Sequence, residues 1–343
     1  MLFRSVHYYE KIIDGTTLKL VGKVNSGKSD ALNCGLNLCK SPHCIILDAD
    51  TKVEKDSIRN LRCQFVADNK MIVCAGVVGN AMYGNRSYTH LSIMQKTLVL
   101  FQQLEYFRTF YMQRVLFDKM NANVVVSGAF AMFRTELLRE VGGYKTHTIG
   151  EDMEITMRLH AFCQSQKIRY HIGYIPEAKC NTQVPFTYRD YYNQRRRWHI
   201  GMIQSLKEHK YMIGNAYYGG AGIISGSFIL LYELWAPFIE IVGVIVLILS
   251  AITDVLNVDF VIKGTLVYVL LTSLTQMIII RALNLYRIEN IRGLHRLKLF
   301  VVSLLEVFLF HPFNIVIKLI AFFKAGRYSK EWKHIERENE KSI

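Results

Sequence analysis

Two long apolar stretches towards the C-terminal end of the sequence constrain its fold most. Residues 223–252 are almost continuously apolar, with Glu233, Pro237 and Glu240 as the interruptions. Residues 260–280 form a second such stretch, and each is long enough for the ~20-residue helix that crosses a bilayer. We therefore predict two membrane-spanning helices.

The connection after the second stretch indicates their orientation. Residues 281–298 hold five Arg and Lys side chains, and such charges collect on the cytoplasmic side of a membrane. Two crossings would place the region before the first stretch on that side as well. We expect a multi-pass protein of the plasma membrane with a cytoplasmic N-terminal domain.

A third apolar stretch, residues 300–323, has a different pattern. Its polar residues fall along one helical face, and Pro312 is expected to bend the helix. They are Ser303, Glu306, His311, Asn314 and Lys318. Because the tail at residues 324–343 is basic, a further crossing would place positive charge outside, which favours an interfacial or re-entrant helix. The alternative is an ordinary span whose polar face packs against other helices.

Composition agrees with a membrane protein. The sequence combines 51% hydrophobic residues with a net charge of +14, and membrane proteins with a cytoplasmic face often do so. The basic residues are scattered without an aromatic–basic recognition module, so no nucleic-acid partner is expected. Seven cysteines without a C-x-x-C pair indicate reduced thiols rather than a zinc site.

Residues 1–200 alternate short apolar runs with helical patterns. Strands are predicted at residues 44–47, 71–78 and 124–126, and a helix within residues 91–119. This alternation favours an α/β, Rossmann-like domain with a mostly parallel sheet. Residues 201–218 are predicted to be an interfacial helix or linker, and residues 219–323 the membrane region.

Two aspartates directly follow the first predicted strand. Asp48 and Asp50 are separated by a small alanine, so both carboxylates can reach one hard cation. Mg²⁺ or Mn²⁺ is typically held by one or two carboxylates together with substrate phosphates. The alternative, for such a short motif by itself, is a solvated loop.

An acidic pair is predicted to open a helix. Glu151 and Asp152 follow Gly150, and a carboxylate here could act as a general base towards an acceptor hydroxyl. Only one of the two would be the base, and we favour Asp152. The alternative is that the helix dipole simply favours acidic residues in a first turn.

A Q-R-R-R-W segment lies just before the membrane region. Its guanidinium groups, including Arg195 and Arg197, can grip phosphate oxygens beside Gln194, and Trp198 offers a flat face to a sugar ring. The alternative is a juxtamembrane basic cluster that contacts anionic lipid.

Residues 22–29 formally match an ATP-binding P-loop, from Gly22 to Gly27-Lys28-Ser29. A P-loop follows a buried strand and needs a second acidic motif. The preceding Lys19-Leu20-Val21 is a weak strand, so an NTPase is the minority interpretation.

Together these segments resemble the membrane-bound, processive family-2 glycosyltransferases, the cellulose, chitin, hyaluronan and poly-N-acetylglucosamine synthases. The similar segments are N-S-G-K-S-D-A-L-N (Asn25–Asn33), I-I-L-D-A-D (Ile45–Asp50), V-S-G-A-F-A-M-F-R (Val126–Arg134), V-G-G-Y (Val141–Tyr144), I-G-E-D-M-E-I-T-M-R-L-H (Ile149–His160) and Q-R-R-R-W (Gln194–Trp198). Their order and spacing also match. The resemblance implies a GT-A fold and an inverting transfer.

The resemblance also implies roles for single residues. Lys28 and Asp48 would contact the donor nucleotide, and Asp50, with Asp48, would hold the metal. Asp152 would be the base, with Glu151 beside it. Gln194 and Arg197 would bind the diphosphate, with Arg195 in the same basic cluster. Trp198 would stack on the acceptor, and Ser127, Gly128 and Ala129 would line the acceptor site.

By this resemblance the chain would add N-acetylglucosamine from a UDP-sugar to a growing β-linked polysaccharide, with a bilayer and accessory or export subunits as further partners. Glu233 and Glu240 would line the polymer's path. Transfer of one sugar to a lipid acceptor is the alternative. Members of the family begin the domain with an acidic loop and a D-D-G or D-D-S motif, which does not precede the matched segments. The resemblance therefore predicts a domain without its N-terminal part, and hence a fragment, a mis-started product or a piece that needs a partner.

Overall fold

The computed structural model describes residues 7–80, 90–291 and 293–326. An α/β part extends to about residue 218, and three long apolar helices follow it. This order confirms the α/β domain followed by a helical region. Nearly all of the basic tail, residues 324–343, lies outside the described residues.

An exposed hairpin precedes the central sheet. Strands β1 (His7–Ile13) and β2 (Thr16–Gly22) pair antiparallel along their full length. Asp14 and Gly15 between them have φ values of 48° and 75°, and Asp-Gly is typical of the two-residue turn that requires both. Because β2 is exposed rather than buried, it lacks the context of an ATP-binding loop.

A mixed sheet of five strands forms the centre of the α/β part. The strands are β3 (His43–Leu47), β4 (Lys52–Val53), β5 (Met71–Asn80), β6 (Phe130–Arg134) and β7 (His171–Thr182), in the spatial order β3-β6-β5-β7-β4. Only β5 and β7 pair in parallel, and the other three pairings are antiparallel. The prediction of a mostly parallel sheet is therefore wrong. A short buried apolar run has the same sequence pattern whether its strand pairs in parallel or antiparallel, so the pattern does not reveal the strand's direction.

The strand predicted at residues 124–126 is also wrong. This segment is outside the sheet, and β6 begins only at Phe130. Val124 and Val126 are nevertheless 3% and 2% exposed. They are apolar because they pack into the core, and an apolar run by itself does not reveal whether its backbone pairs with a neighbour.

Helices flank this sheet. They are α1 (Lys28–Leu38), α2 (Ser57–Ala67), α3 (Ile93–Tyr106), α4 (Arg114–Asp118), α5 (Thr135–Glu140), α6 (Glu151–Ser165) and α7 (Tyr188–Glu208). A π-helical stretch, Phe107–Gln113, joins α3 to α4, so the helix predicted within residues 91–119 is confirmed. Ser92 starts it with a reciprocal capping box to Gln95, which satisfies two otherwise free N–H groups.

The three apolar helices are long enough to cross a membrane. The first apolar helix is Ala221–Ile252, the second is Val258–Leu285 and the third is Gly293–Lys324. A helix of 32 residues is about 48 Å long, more than a hydrocarbon core of about 30 Å requires. The surplus packs against the α/β part, where Ala221 and Ser225 are buried and the Ser225 hydroxyl donates to the carbonyl of Ala122. Residues 241–249 are all exposed.

The polar face of the third apolar helix contacts protein. Four of its residues bind partners on other elements. The pairs are Glu306 with Arg108, His311 with Glu240 at 2.6 Å, Asn314 with Tyr191 at 2.7 Å, and Lys318 with Glu233 at 2.7 Å. This packing corresponds to the alternative interpretation of residues 300–323, and it gives Glu233 and Glu240 charged or ionisable partners. The number of crossings and the polymer path remain predictions.

An imidazole ties β7 to two helices. His171 Nδ1 lies 3.0 Å from Asp68 Oδ2 and its Nε2 lies 3.1 Å from Asp118 Oδ1. The hydrogen bond to Asp118 raises the pKa of His171 most, burial opposes it and Asp68 adds to it, so that the pKa reaches about 9. The protonated ring donates to both carboxylates.

We expect this contact to make stability depend on pH. The folded pKa lies above the unfolded value of about 6.5, so the stabilisation is complete below pH 6.5 and disappears as the pH rises through about 9. After discounting for solvent screening it amounts to about 1–2 kcal/mol. Thermal unfolding of wild type and His171→Gln between pH 6 and 10 measures it. The difference between the two should shrink as the pH rises, and a constant difference would contradict the assignment.

Candidate active site

Antiparallel pairing brings two of the predicted segments together. Because β6 runs against β3, Leu47 at the end of β3 pairs with Phe130 at the start of β6. Asp48 therefore lies at the same edge of the sheet as the loop Ser127–Ala129. A parallel β6 would have placed that loop at the opposite edge.

Lys28 connects three chain segments at this edge. Its Nζ lies 2.6 Å from Asp48 Oδ1 and 3.3 Å from Glu151 Oε1. Lys28 is the first residue of α1, and Gly27 before it has a φ of 96°, which favours glycine. Burial lowers the pKa of Lys28, but Glu151 and Asp48 outweigh that effect and raise it overall. The ammonium is thus charged and fixed between two carboxylates.

Gly128 closes the cluster from the other side. A Cβ built on Gly128 would lie 3.1 Å from Lys28 Nζ, 3.6 Å from Asp152 Cβ and 3.8 Å from Glu151 Oε1. A larger side chain would press on the ammonium, so glycine lets the loop approach the charged groups. The structure therefore brings Lys28, Asp48, Glu151, Asp152 and Gly128 into one site.

The two acids of this site have different surroundings. Burial, and then the neighbouring Asp152, raise the pKa of Glu151, while Lys28 opposes the rise. Asp152 is partly exposed, and its Oδ1 accepts a hydrogen bond of 2.8 Å from the backbone N–H of Met153. The Glu151 carboxylate is thus held by the Lys28 ammonium, whereas the Asp152 carboxylate is held by the backbone at the start of α6.

Asp50 lies beside β7, where the Thr182 hydroxyl donates to its Oδ2 at 3.2 Å. Asp48 and Asp50 thus provide two carboxylates on one short turn, and the side chain of Asp48 is about one-third exposed. Carboxylate oxygens near open space suit Mg²⁺ or Mn²⁺. The donor set fits a divalent cation that also binds a diphosphate.

A close crossing joins the start of α6 to α7, the helix that carries the Q-R-R-R-W segment. Gly150 precedes α6, and Gly201 lies in the middle of α7. A Cβ on Gly150 would lie 2.8 Å from the Gly201 carbonyl carbon, and one on Gly201 would lie 2.7 Å from Gly150 Cα. Ser205 reinforces the crossing, because its hydroxyl is within 3.3 Å of the Gly150 carbonyl oxygen. Sequence analysis missed Gly201, although the helical pattern around it was a signal.

Arg195 is placed differently from its predicted role in the donor site. Its Nη2 lies 2.8 Å from Glu105 Oε2, and its guanidinium stacks on Tyr191 and Trp198 at 4.9 and 4.4 Å from the ring centroids. The Arg195 guanidinium thus contacts side chains of the protein itself. Trp198 remains 44% exposed. The Oε1 atom of Gln194 is buried without a hydrogen-bond partner among the described residues, and Arg197 is partly buried beside it on α7.

A buried carboxylate supports the site one turn along α6. Glu154 is fully buried and contacts Arg158 at 2.7 Å, Lys145 at 3.1 Å and His209 at 3.3 Å. Burial raises the pKa of Glu154, but hydrogen bonds from His209 and Arg158 overcome it and lower the pKa to about 2. Glu208 lies close enough to complete a metal-like cluster, but the Lys145 ammonium already bridges Glu154 and Glu208. The group is a structural ion-pair network.

Comparison with known families identifies this arrangement. A family model described as "Glycosyl transferase family group 2" matches residues 43–323. This range includes both the candidate site, apart from Lys28, and the three apolar helices. The chain belongs to this glycosyltransferase family. Membership of this family confirms the GT-A-type α/β fold that the resemblance implied, and the sheet of this fold is mixed.

Curated proteins similar to this chain include poly-beta-1,6-N-acetyl-D-glucosamine synthases. The chain is 31% identical over 179 residues to the poly-beta-1,6-N-acetyl-D-glucosamine synthase of Staphylococcus epidermidis, covering 52% of this chain and 39% of that protein. The synthase of that name from Staphylococcus aureus is 32% identical over 178 residues, with the same coverage. The matched region thus spans about two-fifths of these relatives.

One solved structure is similar over a longer range. It is the mannosyltransferase PcManGT from Pyrobaculum calidifontis in complex with GDP-Man and Mn²⁺, at 18% sequence identity and a TM-score of 0.49, covering 82% of this chain and 67% of that chain.

Proposed function

We propose that this chain acts as an inverting, metal-dependent glycosyltransferase that adds N-acetylglucosamine from a UDP-sugar to a growing β-linked polysaccharide at a membrane. The observation that carries the proposal is the convergence on Lys28 of Asp48, Glu151 and the Gly128 loop. Membership of the glycosyltransferase family supports it, as does the similarity to poly-N-acetylglucosamine synthases.

In this proposal Asp152 accepts the proton of the acceptor hydroxyl as its oxygen attacks the anomeric carbon of the donor sugar. The bond to the UDP oxygen breaks in the same displacement, so the configuration inverts. Lys28 and Arg197 place positive charge near the diphosphate, which favours departure of UDP. Gln194, on the same helix as Arg197, would donate from its amide N–H to the diphosphate. A divalent cation on Asp48 and Asp50 would neutralise the phosphate charge.

The exposed apolar surface supports action at a membrane. Residues 241–249 of the first apolar helix are all exposed, and an uninterrupted apolar surface of this length suits lipid. We propose that the α/β domain is cytoplasmic and that the helices guide the product outward. Accessory or export subunits would act on the far side.

The direct test is a transfer assay on the chain in detergent or lipid nanodiscs, with radiolabelled UDP-N-acetylglucosamine and Mg²⁺ or Mn²⁺. A ladder of oligosaccharides or longer polymer supports the proposal. A product limited to one sugar on a lipid would favour the alternative acceptor. Folded protein that produces neither would contradict the proposal that this chain transfers N-acetylglucosamine.

Replacing Trp198 by alanine should separate elongation from donor use. The exposed indole provides a stacking face for the acceptor but lies outside the Lys28 cluster. We expect elongation to fall by about 10–100-fold, because truncating an aromatic anchor of a binding surface typically costs roughly 2 kcal/mol or more. Hydrolysis of UDP-N-acetylglucosamine should fall less than about threefold. Equal losses in product length and hydrolysis would contradict the stacking role.

A further inference from the structure

A buried ion pair lies directly behind the exposed indole of Trp198. Arg195 on α7 and Glu105 on α3 approach to 2.8 Å, and the side chain of Arg195 is only 11% exposed. The contact is an ion pair rather than a well-aligned hydrogen bond, since neither atom meets the geometry of one. Burying a charged guanidinium costs free energy even when it is paired with a carboxylate. The buried position of Arg195 therefore needs an explanation.

Aromatic rings surround the same guanidinium. It lies 4.4 Å from the Trp198 ring centroid, 4.9 Å from that of Tyr191 and 5.9 Å from that of Tyr106. Arg195 and Trp198 are three residues apart on one helix, which puts their side chains on the same face. The guanidinium therefore covers part of the indole, while 44% of Trp198 stays accessible.

We propose that the Glu105–Arg195 pair is a positioning device that fixes the orientation of Trp198 and so presents its exposed part to the acceptor end of a glycan. This inference rests on the acceptor role of Trp198 in the proposed function. Arg195 then acts through Trp198, rather than by touching the donor.

Two further contacts make this device rigid. The Tyr191 ring beneath Arg195 is anchored by its hydroxyl, which donates to Asn314 of the third apolar helix at 2.7 Å. Glu105 is fixed on α3, three residues before Arg108, which binds Glu306 of the same apolar helix. The orientation of the indole is therefore linked to the seating of that helix against the α/β part.

The chemistry requires arginine and a carboxylate. A planar guanidinium can stack on a ring while its edge meets a carboxylate, whereas a lysine ammonium cannot do both. Glu105→Gln keeps the size of the side chain but removes the charge. Arg195→Lys keeps the charge but removes the plane. Both substitutions should release Trp198.

The test uses the fluorescence of Trp198 in the full chain. The sequence has three tryptophans, so Trp235→Phe and Trp332→Phe leave Trp198 as the single reporter. Acrylamide quenching reports its mobility, and titration with a short β-linked N-acetylglucosamine oligosaccharide reports acceptor binding. In Glu105→Gln and Arg195→Lys we expect stronger quenching of Trp198. We also expect the Kd for the oligosaccharide to rise about five- to tenfold. The Kd for UDP should change less than twofold.

Glu289→Gln is the matched control. Glu289 also joins the α/β part to the apolar helices, with Oε1 3.1 Å from Lys179 Nζ and 2.9 Å from the Tyr111 hydroxyl. If a general loosening of this interface caused the effect, Glu289→Gln would change Trp198 quenching as well. The positioning role instead predicts that this variant leaves Trp198 quenching and oligosaccharide binding unchanged.

Three results are decisive. Unchanged quenching in Glu105→Gln, or an equal change in Glu289→Gln, would overturn the positioning role. Increased quenching with weakened oligosaccharide binding would support it. Increased quenching in a chain that binds no oligosaccharide before substitution would support the positioning of Trp198 but refute its acceptor role in the proposed function.

Discussion

Asn in place of Asp152 should abolish sugar transfer while leaving UDP binding nearly intact. The substitution keeps the shape of the side chain but removes the base that accepts the acceptor proton. General base catalysis contributes about 10²–10⁴-fold, so we expect a loss of at least about 10²-fold in the transfer rate. Initial rates with radiolabelled donor and calorimetric titration with UDP measure the two quantities.

Asp259→Asn is the control for this change, because Asp259 is an exposed residue in the first turn of the second apolar helix, where it pairs with Lys263. It should transfer sugar at the wild-type rate. Loss of UDP binding together with turnover in Asp152→Asn would show that Asp152 holds the donor instead. Retained turnover would move the base to Glu151.

Gln in place of Glu154 should destabilise the α/β part strongly. Glu154 is fully buried beneath the site, and the substitution leaves the positive charges of Arg158 and Lys145 without their shared carboxylate. Removing one partner of a buried ion pair typically costs about 3–5 kcal/mol, a large part of a total stability of about 5–15 kcal/mol. Thermal unfolding in detergent, followed by circular dichroism, measures the effect.

Glu136→Gln provides the comparison, since Glu136 is exposed in the first turn of α5 and should change stability by less than about 0.5 kcal/mol. If Glu154→Gln and Glu136→Gln unfold at the same temperature, the buried network is not what holds α6 and α7 together. Because the folded pKa of Glu154 lies near 2, its stabilisation should persist from neutral pH down to about pH 4.5 and disappear only below that.

Much of the fold could be predicted from the order of apolar runs. Residues 44–47 and 71–78 are strands, Glu151 opens a helix, and the long apolar stretches are helices. Strand direction could not be predicted, because β6 is buried in the same way whether it runs parallel or antiparallel to β3. That direction is set by long-range pairing, and it decides which loop lies next to Asp48.

The candidate site was predicted in part for a similar reason. Lys28, Asp48 and Glu151 belong to short motifs that carry their own chemical signal, and the fold brings them together. Arg195 belongs to an equally basic motif, but the direction of its side chain depends on Glu105, which lies 90 positions earlier in the sequence. Local sequence identifies charged groups, whereas their partners depend on tertiary packing.

Calorimetric titration of the chain with UDP, with and without Mg²⁺ or Mn²⁺, tests the central claim most directly. The proposed site predicts that UDP binding needs the metal. It also predicts that Asp50→Asn and Lys28→Ala each weaken this binding. The same protein must be shown to be folded by circular dichroism. Absence of metal-dependent binding by folded protein would contradict the claim that the residues around Lys28 form a nucleotide-sugar site in this chain.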